Sequence, residues 1–223
     1  MLSFLSYDAS DILKADMKTC PTNKNIEGLV AAVSLNRWAE CPSFLTAELG
    51  ATLRQEAHDM EASGGFRPAT IVGGHGKADT AIRGDQIVWF DKHTAQPGQL
   101  AYLAVMEELR LELNGALLLG AFDFECHFAV YPPGTFYRRH VDRPHGKAQR
   151  VLSCIAYLNP DWKAVHGGEL RIFSGDTAED PYVDIAPLGC TLVCFLSEGL
   201  FHEVRPTMVD RYAITGWFRT REQ

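Results

Sequence analysis

The sequence predicts a mainly β fold, an antiparallel sandwich or barrel, with helices packed on its outside. Two helical patterns lie before residue 116, and nine short runs rich in Val, Ile, Phe, Tyr and Cys follow it. Each run is closed by Gly, Pro or Asn, and no helical period separates one from the next. Successive strands therefore pair antiparallel rather than through crossover helices.

With 223 residues, 46% of them hydrophobic, the chain can bury one substantial core without a second domain. The expected division is an extension over residues 1–45 and a domain over 46–223, its β core spanning about 116–219. The first residues lack a basic stretch followed by a long apolar one, and no run of about eighteen apolar residues occurs downstream. The expectation is a cytoplasmic, untargeted protein with no membrane partner, as a monomer. A formal charge of −7 with scattered Lys and Arg disfavours nucleic-acid partners, because the whole-molecule field repels a phosphate backbone. The six cysteines form no CxxC pair, which argues against a zinc module and for reduced, packed thiols.

Along the chain, an apolar stretch at 26–35 reads as a short helix. From Thr46 an amphipathic helix follows, since Leu49, Leu53, Ala57 and Met60 recur at three and four, Thr46 can cap it, and GGF at 64–66 ends it. GGHGKAD at 73–79 has neither a GKS nor a GxGxxG pattern, so a mobile loop is expected there rather than a phosphate cradle. A second helix is expected over 98–114, where Leu100, Leu103, Met106, Leu109, Leu111 and Leu113 make a broad apolar face and AsnGly ends it. Strands are then expected at 116–119, 123–131, 135–141, 150–158, 168–174, 182–186, 190–196, 201–205 and 210–219.

Within this frame RHVD sets His140 and Asp142 two residues apart in a strand-like run, where positions i and i+2 share a face. By itself an HxD pair can be an exposed polar strand end. His202 in FHEVRP and Arg211 in DRYAITGWFR add the rest of a pattern. Two histidines and one carboxylate on one side of an ion leave open positions, the arrangement suited to non-haem Fe(II) oxygenases. A 2-oxo acid can fill two of these, and its far carboxylate needs a cation, for which a guanidinium has the forked geometry. Arg211 is the candidate. Alternation puts Arg211, Ala213, Thr215 and Trp217 on one strand face, and Ser153, Ile155 and Tyr157 on another, so the Tyr157 hydroxyl is a second candidate for the cosubstrate. A zinc hydrolase would need a spare acidic base that the motif lacks, and would leave Arg211 unexplained.

The runs YPPGTFYRRHVDRP, CIAYLNPDW, GGELRIF, HEV and RYAITGWF, in that order, resemble the prolyl 4-hydroxylase branch of the 2-oxoglutarate oxygenases, particularly the hypoxia-sensing prolyl hydroxylases and their bacterial relatives. The resemblance extends from about residue 66 to the C-terminus, and IRGDQIVW resembles the substrate-side loop of that group. It implies a double-stranded β-helix core, His140, Asp142 and His202 as ligands to Fe(II), and Arg211 with Tyr157 on 2-oxoglutarate. It further implies Tyr131, Thr215 and Trp217 as pocket wall and Ile155, Leu170 and Val204 as its apolar surface. Arg83, Asp85, Arg150, Tyr137 and Trp217 are implied on the substrate side, with Asp85 and Arg150 expected to pair across the lip. The implied reaction consumes O2 and 2-oxoglutarate, with L-ascorbate as an accessory reductant, and 4-hydroxylates a proline in a partner protein. The same chemistry on a free amino acid or small molecule, or a catalytically silent metal-binding sensor, are the alternatives. His127 departs from the pattern by standing where an apolar residue is usual, and reads either as an altered inner wall or as a satisfied core histidine.

Overall fold

The computed structural model describes residues 23–70, 78–142, 149–177 and 179–221. Most of the GGHGKAD run, expected as a mobile loop, lies outside them.

Helix α1 (Asn23–Asn36) buries Ile26, Leu29 and Val33, as the apolar stretch predicts, and leads into strand β1 (Trp38–Cys41). Helix α2 (Ala47–Ala62) starts where Thr46 accepts a hydrogen bond from the Leu49 amide at 3.2 Å, satisfying one of the first-turn donors. Short strands β2 (Arg67–Pro68) and β3 (Gln86–Trp89) precede helix α3 (Pro97–Leu117). That helix does not stop at Asn114–Gly115. It continues to Leu117 and ends with Leu118 in the left-handed region, at φ 52°. Leu109 and Leu113 hold the last turns in the core, and the Asn114 side chain brackets the backbone of Ala121, at 2.8 Å from its N–H and 2.7 Å from its carbonyl. The strand expected at 116–119 is thus the end of a helix and a turn.

The other eight expected strands form. They are β4 (Asp123–Tyr131), β5 (Tyr137–His140), β6 (Arg150–Tyr157), β7 (Leu170–Phe173), β8 (Tyr182–Ile185), β9 (Leu192–Leu196), β10 (His202–Val204) and β11 (Arg211–Arg219). Two antiparallel sheets result, one ordered β1-β9-β6-β11-β4-β3-β2 and the other β5-β10-β7-β8. Strands β1 and β3 carried too little periodicity to be expected. Pairing with β9 and β4 makes them strands, and β3 turns the second half of the supposed substrate-side loop into part of the large sheet.

Period-two alternation decides what each sheet face does. On the outer face of the large sheet, Phe124, Cys126, Phe128 and Val130 of β4, Leu152, Cys154 and Ala156 of β6, and Tyr212, Ile214 and Phe218 of β11 pack with the three helices. On the inner face, Ile155, Tyr157, Val193, Phe195 and Ala213 meet Leu170, Ile172 and Ile185 of the small sheet. Each Val, Leu, Ile or Phe among them, fully buried, contributes on the order of 1.5–3 kcal/mol, so a one-residue slip that exchanged the faces of any central strand would be strongly disfavoured. This is the double-stranded β-helix the motifs implied, and residues 26–41 share its core. Among the described residues no helix is long and apolar enough to cross a membrane. Among the described residues Cys41, Cys126, Cys154 and Cys194 are buried and Cys190 is half-buried, and none of them is in a disulfide.

Candidate metal centre

His140 closes β5, and antiparallel pairing with β10 sets His202 directly opposite it. The ring centroids are 4.2 Å apart. Asp142 lies two residues past His140, beyond the strand end, and its Oδ1 is 3.5 Å from His140 Nε2 and 3.7 Å from His202 Nε2. One ligand atom from each of the three falls within 4.8 Å of the others, and no second such cluster occurs among the described residues.

The groups behind these atoms fix their orientation. His140 Nδ1 is 2.8 Å from the Arg138 carbonyl and His202 Nδ1 is 3.2 Å from the Leu200 carbonyl. In each case Nδ1–H donates and the Nε2 lone pair is left for a metal. The far oxygen of Asp142, Oδ2, accepts from Ser153 Oγ at 2.6 Å and from Trp217 Nε1 at 2.9 Å, leaving Oδ1 as the ligand atom. Burial works against the Asp142 charge, but His202, His140 and the hydrogen bonds outweigh it and hold the carboxyl well below its usual range. Burial, followed by the neighbouring His140, lowers His202 to about 4.

These three residues open on a cavity of about 500 Å³ between the sheets. Its wall includes Tyr131, Ile155, Leu170, Val204, Arg211, Thr215 and Trp217, and also Arg83, Asp85, Tyr137 and Arg150. Every residue singled out in the sequence therefore reaches one site except Tyr157, which is fully buried within the wall with its ring 5.0 Å from Arg211 Cζ. Burial pushes the Tyr157 phenol up to about 12 against the opposing Arg211 charge.

Arg211 is itself 1% exposed, donates Nε–H to the Gly168 carbonyl at 2.8 Å, and has no hydrogen-bond partner for Nη2 among the described residues. The Tyr157 hydroxyl is likewise buried without one. Buried donors in that state are uncommon and point to a ligand. The donor set, two imidazoles and one carboxylate oxygen with one side open, fits Fe(II), and the free guanidinium edge fits a carboxylate.

The expected Asp85–Arg150 pair does not form. Asp85 is 1% exposed at its side chain and is held by Arg83, whose Nε lies 2.7 Å from Oδ1. Arg150 instead donates Nε–H to Glu125 Oε1 at 2.9 Å and lies over Trp217, with Cζ 3.5 Å from the ring centroid. Partner choice follows reach: Arg83 is two residues from Asp85, while Glu125 on β4 lies one strand away from the β11 neighbour of Arg150. His127 is both things it could be, a buried histidine with Nδ1 3.1 Å from the Phe128 carbonyl and part of the cavity wall, between Trp89 and Trp217. Glu125, Trp89 and Ser153 were missed as site residues. The alternation that links Glu125 and His127 to Tyr131 on β4 would have found the first.

A family model described as the 2OG-Fe(II) oxygenase superfamily matches residues 126–219. Human Egl nine homolog 1 is 34% identical over 201 residues, covering 86% of this chain and 46% of that protein, so the chain spans about half its length. The human prolyl hydroxylase EGLN3 is 32% identical over 189 residues, covering 81% of this chain and 77% of its own. Among solved structures, a Pseudomonas putida prolyl-4-hydroxylase superposes with a TM-score of 0.78 at 41% identity, over 88% of this chain and 100% of that one. A Trichoplax adhaerens prolyl hydroxylase, solved in complex with a hypoxia inducible factor oxygen degradation domain peptide fragment, gives a TM-score of 0.77 at 28% identity, over 88% and 90%. The chain belongs to the 2OG-Fe(II) oxygenase superfamily, in its prolyl hydroxylase branch.

Proposed function

We propose that the chain is an Fe(II)- and 2-oxoglutarate-dependent oxygenase that 4-hydroxylates a prolyl residue in a partner protein and releases succinate and CO2. The observation that carries this is the three-donor cluster facing the same cavity as a buried guanidinium with a free Nη2. Bound Fe(II) would supply activation of O2 coupled to oxidative decarboxylation of the 2-oxo acid.

The chain's own residues do the positioning. His140, His202 and Asp142 Oδ1 would hold the metal, each oriented by the hydrogen bond at its far atom. Arg211 and the Tyr157 hydroxyl would bind the far carboxylate of 2-oxoglutarate in a dry pocket, where a charge-assisted bond is strongest. Tyr131 and Thr215 would flank it, and Ile155, Leu170 and Val204 would keep water out. Trp217 and Tyr137 would stand beside the target proline, with Arg83, Asp85 and Arg150 at the lip. A peptide target is supported by the Trichoplax relative, solved with a peptide fragment. Ascorbate enters the proposal only as the reductant that keeps the metal ferrous. We place the chain in the cytoplasm, a location supported by described cysteines that form no disulfide.

The test is anaerobic loading with Fe(II) and 2-oxoglutarate, followed by O2 and cell lysate, with proline-containing peptides read by mass spectrometry for the gain of one oxygen atom. Succinate formation without any oxygen gain on peptide would move the target to a small molecule. Absence of both would overturn the reading.

A further inference from the structure

Two adjacent rows of residues cross the inner face of the large sheet beside the metal centre. In one, Glu125 of β4, Trp217 of β11 and Ser153 of β6 are register partners. In the next, Asp123, Arg219 and Arg150 are. Side chains link the rows into one assembly. Arg219 donates to Asp123 Oδ1 at 2.9 Å and to Glu125 Oε2 at 2.9 Å, and Glu125 Oε1 accepts from Arg150 Nε at 2.9 Å and forms an ion pair with its Nη2 at 2.8 Å. The guanidinium so held lies flat enough against Trp217 to bring Cζ within 3.5 Å of the ring centroid. The other end of that indole donates to Asp142 Oδ2 at 2.9 Å.

The geometry points to Glu125 as a positioning residue for the metal centre, acting through Arg150 and Trp217 on the carboxylate of Asp142. The inference rests on the proposed metal site. Hydrogen bonds to the far oxygen of a carboxylate ligand favour binding through the near one and fix its orientation, and here two donors, Ser153 and Trp217, share that task. Ser153 is secured by its own β6 backbone and by Ser197 at 2.9 Å. Trp217 has a long side chain whose ring can tilt about two torsions, and the cation on its face, fixed by Glu125, favours one tilt. Without Glu125 the Arg150 head group loses its hydrogen bond and ion pair with that acid, and the indole N–H is held less firmly on Oδ2. Groups hydrogen-bonded directly to a metal ligand, as Trp217 is to Asp142, carry about 10–100-fold in metal affinity, and Glu125, which acts through Trp217, is expected at or below the lower end of that range.

The experiment uses the full chain without turnover. Mn(II), which does not consume O2 here, is titrated calorimetrically into the metal-free wild type, Glu125→Ala, Glu125→Asp, Trp217→Phe and the Glu125→Ala/Trp217→Phe double variant. Glu125→Ala is expected to lower Mn(II) affinity about tenfold, with Glu125→Asp between it and the wild type, and to change the near-ultraviolet circular dichroism of the tryptophans with the far-ultraviolet spectrum unchanged. In the Trp217→Phe background the loss of Glu125 is expected to add less than about twofold. Unaltered affinity in Glu125→Ala overturns the inference. So does a full tenfold effect that persists without the indole, since that is the signature of a deleted charge felt through space. A wild type that binds no Mn(II) overturns the metal site itself, and is told apart because every variant is then equally silent.

Discussion

Arg211 reaches from the start of β11 to the carbonyl of Gly168, and that 2.8 Å bond is made by Nε alone. Gly168 sits at φ +70°, and a Cβ there would lie 3.1 Å from Arg211 Cδ and 3.2 Å from Thr207 Oγ1, so the loop approaches the arginine only as glycine. Nε serves the fold in this arrangement, and Nη2 remains for a ligand.

Arg211→Ala is therefore expected to weaken 2-oxoglutarate binding by about a hundredfold, the equivalent of roughly 3 kcal/mol for a buried charge-assisted contact, and to change metal affinity little. Parallel titrations of the cosubstrate and of Mn(II) check it. An equal loss of both would show collapse of the strand start instead.

His140→Ala, Asp142→Ala and His202→Ala should each abolish stoichiometric metal binding, because the described residues offer no fourth donor to the cluster. Metal content after dialysis against Fe(II) under argon, with circular dichroism as the folding control, is the measurement. Retained stoichiometric metal in any one variant excludes that residue as a ligand.

Asp85 and Arg150 should be energetically independent. A double-mutant cycle on stability with Asp85→Ala and Arg150→Ala is expected to give a coupling below about 0.5 kcal/mol, whereas Asp85→Ala with Arg83→Ala should give more than about 1 kcal/mol. The carboxylate of the second pair is buried, and its guanidinium only 14% exposed, which supports a value above that of a surface pair. Strong coupling of Asp85 to Arg150 would mean that the lip rearranges in solution.

Burial lowers His127 to about 4, while an unfolded histidine titrates near 6.5. Between those values the unfolded chain holds a proton that the folded one does not, so stability falls as pH falls from about 6.5 towards 4. His127→Phe should remove about 2 kcal/mol of the difference between stabilities at about pH 7 and pH 4.5. His202, also near 4, leaves part of the slope in place. Urea unfolding of the metal-free chain at the two pH values reads this directly, and an unchanged difference would show that His127 is protonated in the folded state.

Periodicity was a sound guide wherever one face of an element meets the core. The inner face of β11, with Arg211, Thr215 and Trp217, and that of β6, with Ser153, Ile155 and Tyr157, are where alternation put them. His140 and His202, 62 residues apart in sequence, meet because β5 and β10 pair with these two residues opposite each other. Their chemical types in that spacing were already enough to propose one ion.

The sequence by itself determined the candidate residues His140, Asp142, His202 and Arg211 and the strand face that Arg211, Thr215 and Trp217 share, because both follow from residue type and a period of two. Tertiary structure alone decided who pairs with whom. Arg150 went to Glu125 rather than Asp85, Trp217 to Asp142, and 116–117 to the end of a helix rather than a strand. β1 and β3 became strands only beside β9 and β4. The reason is that these outcomes depend on which strands are neighbours and in what register, and that is settled by packing between segments far apart in the chain, where local periodicity carries no information.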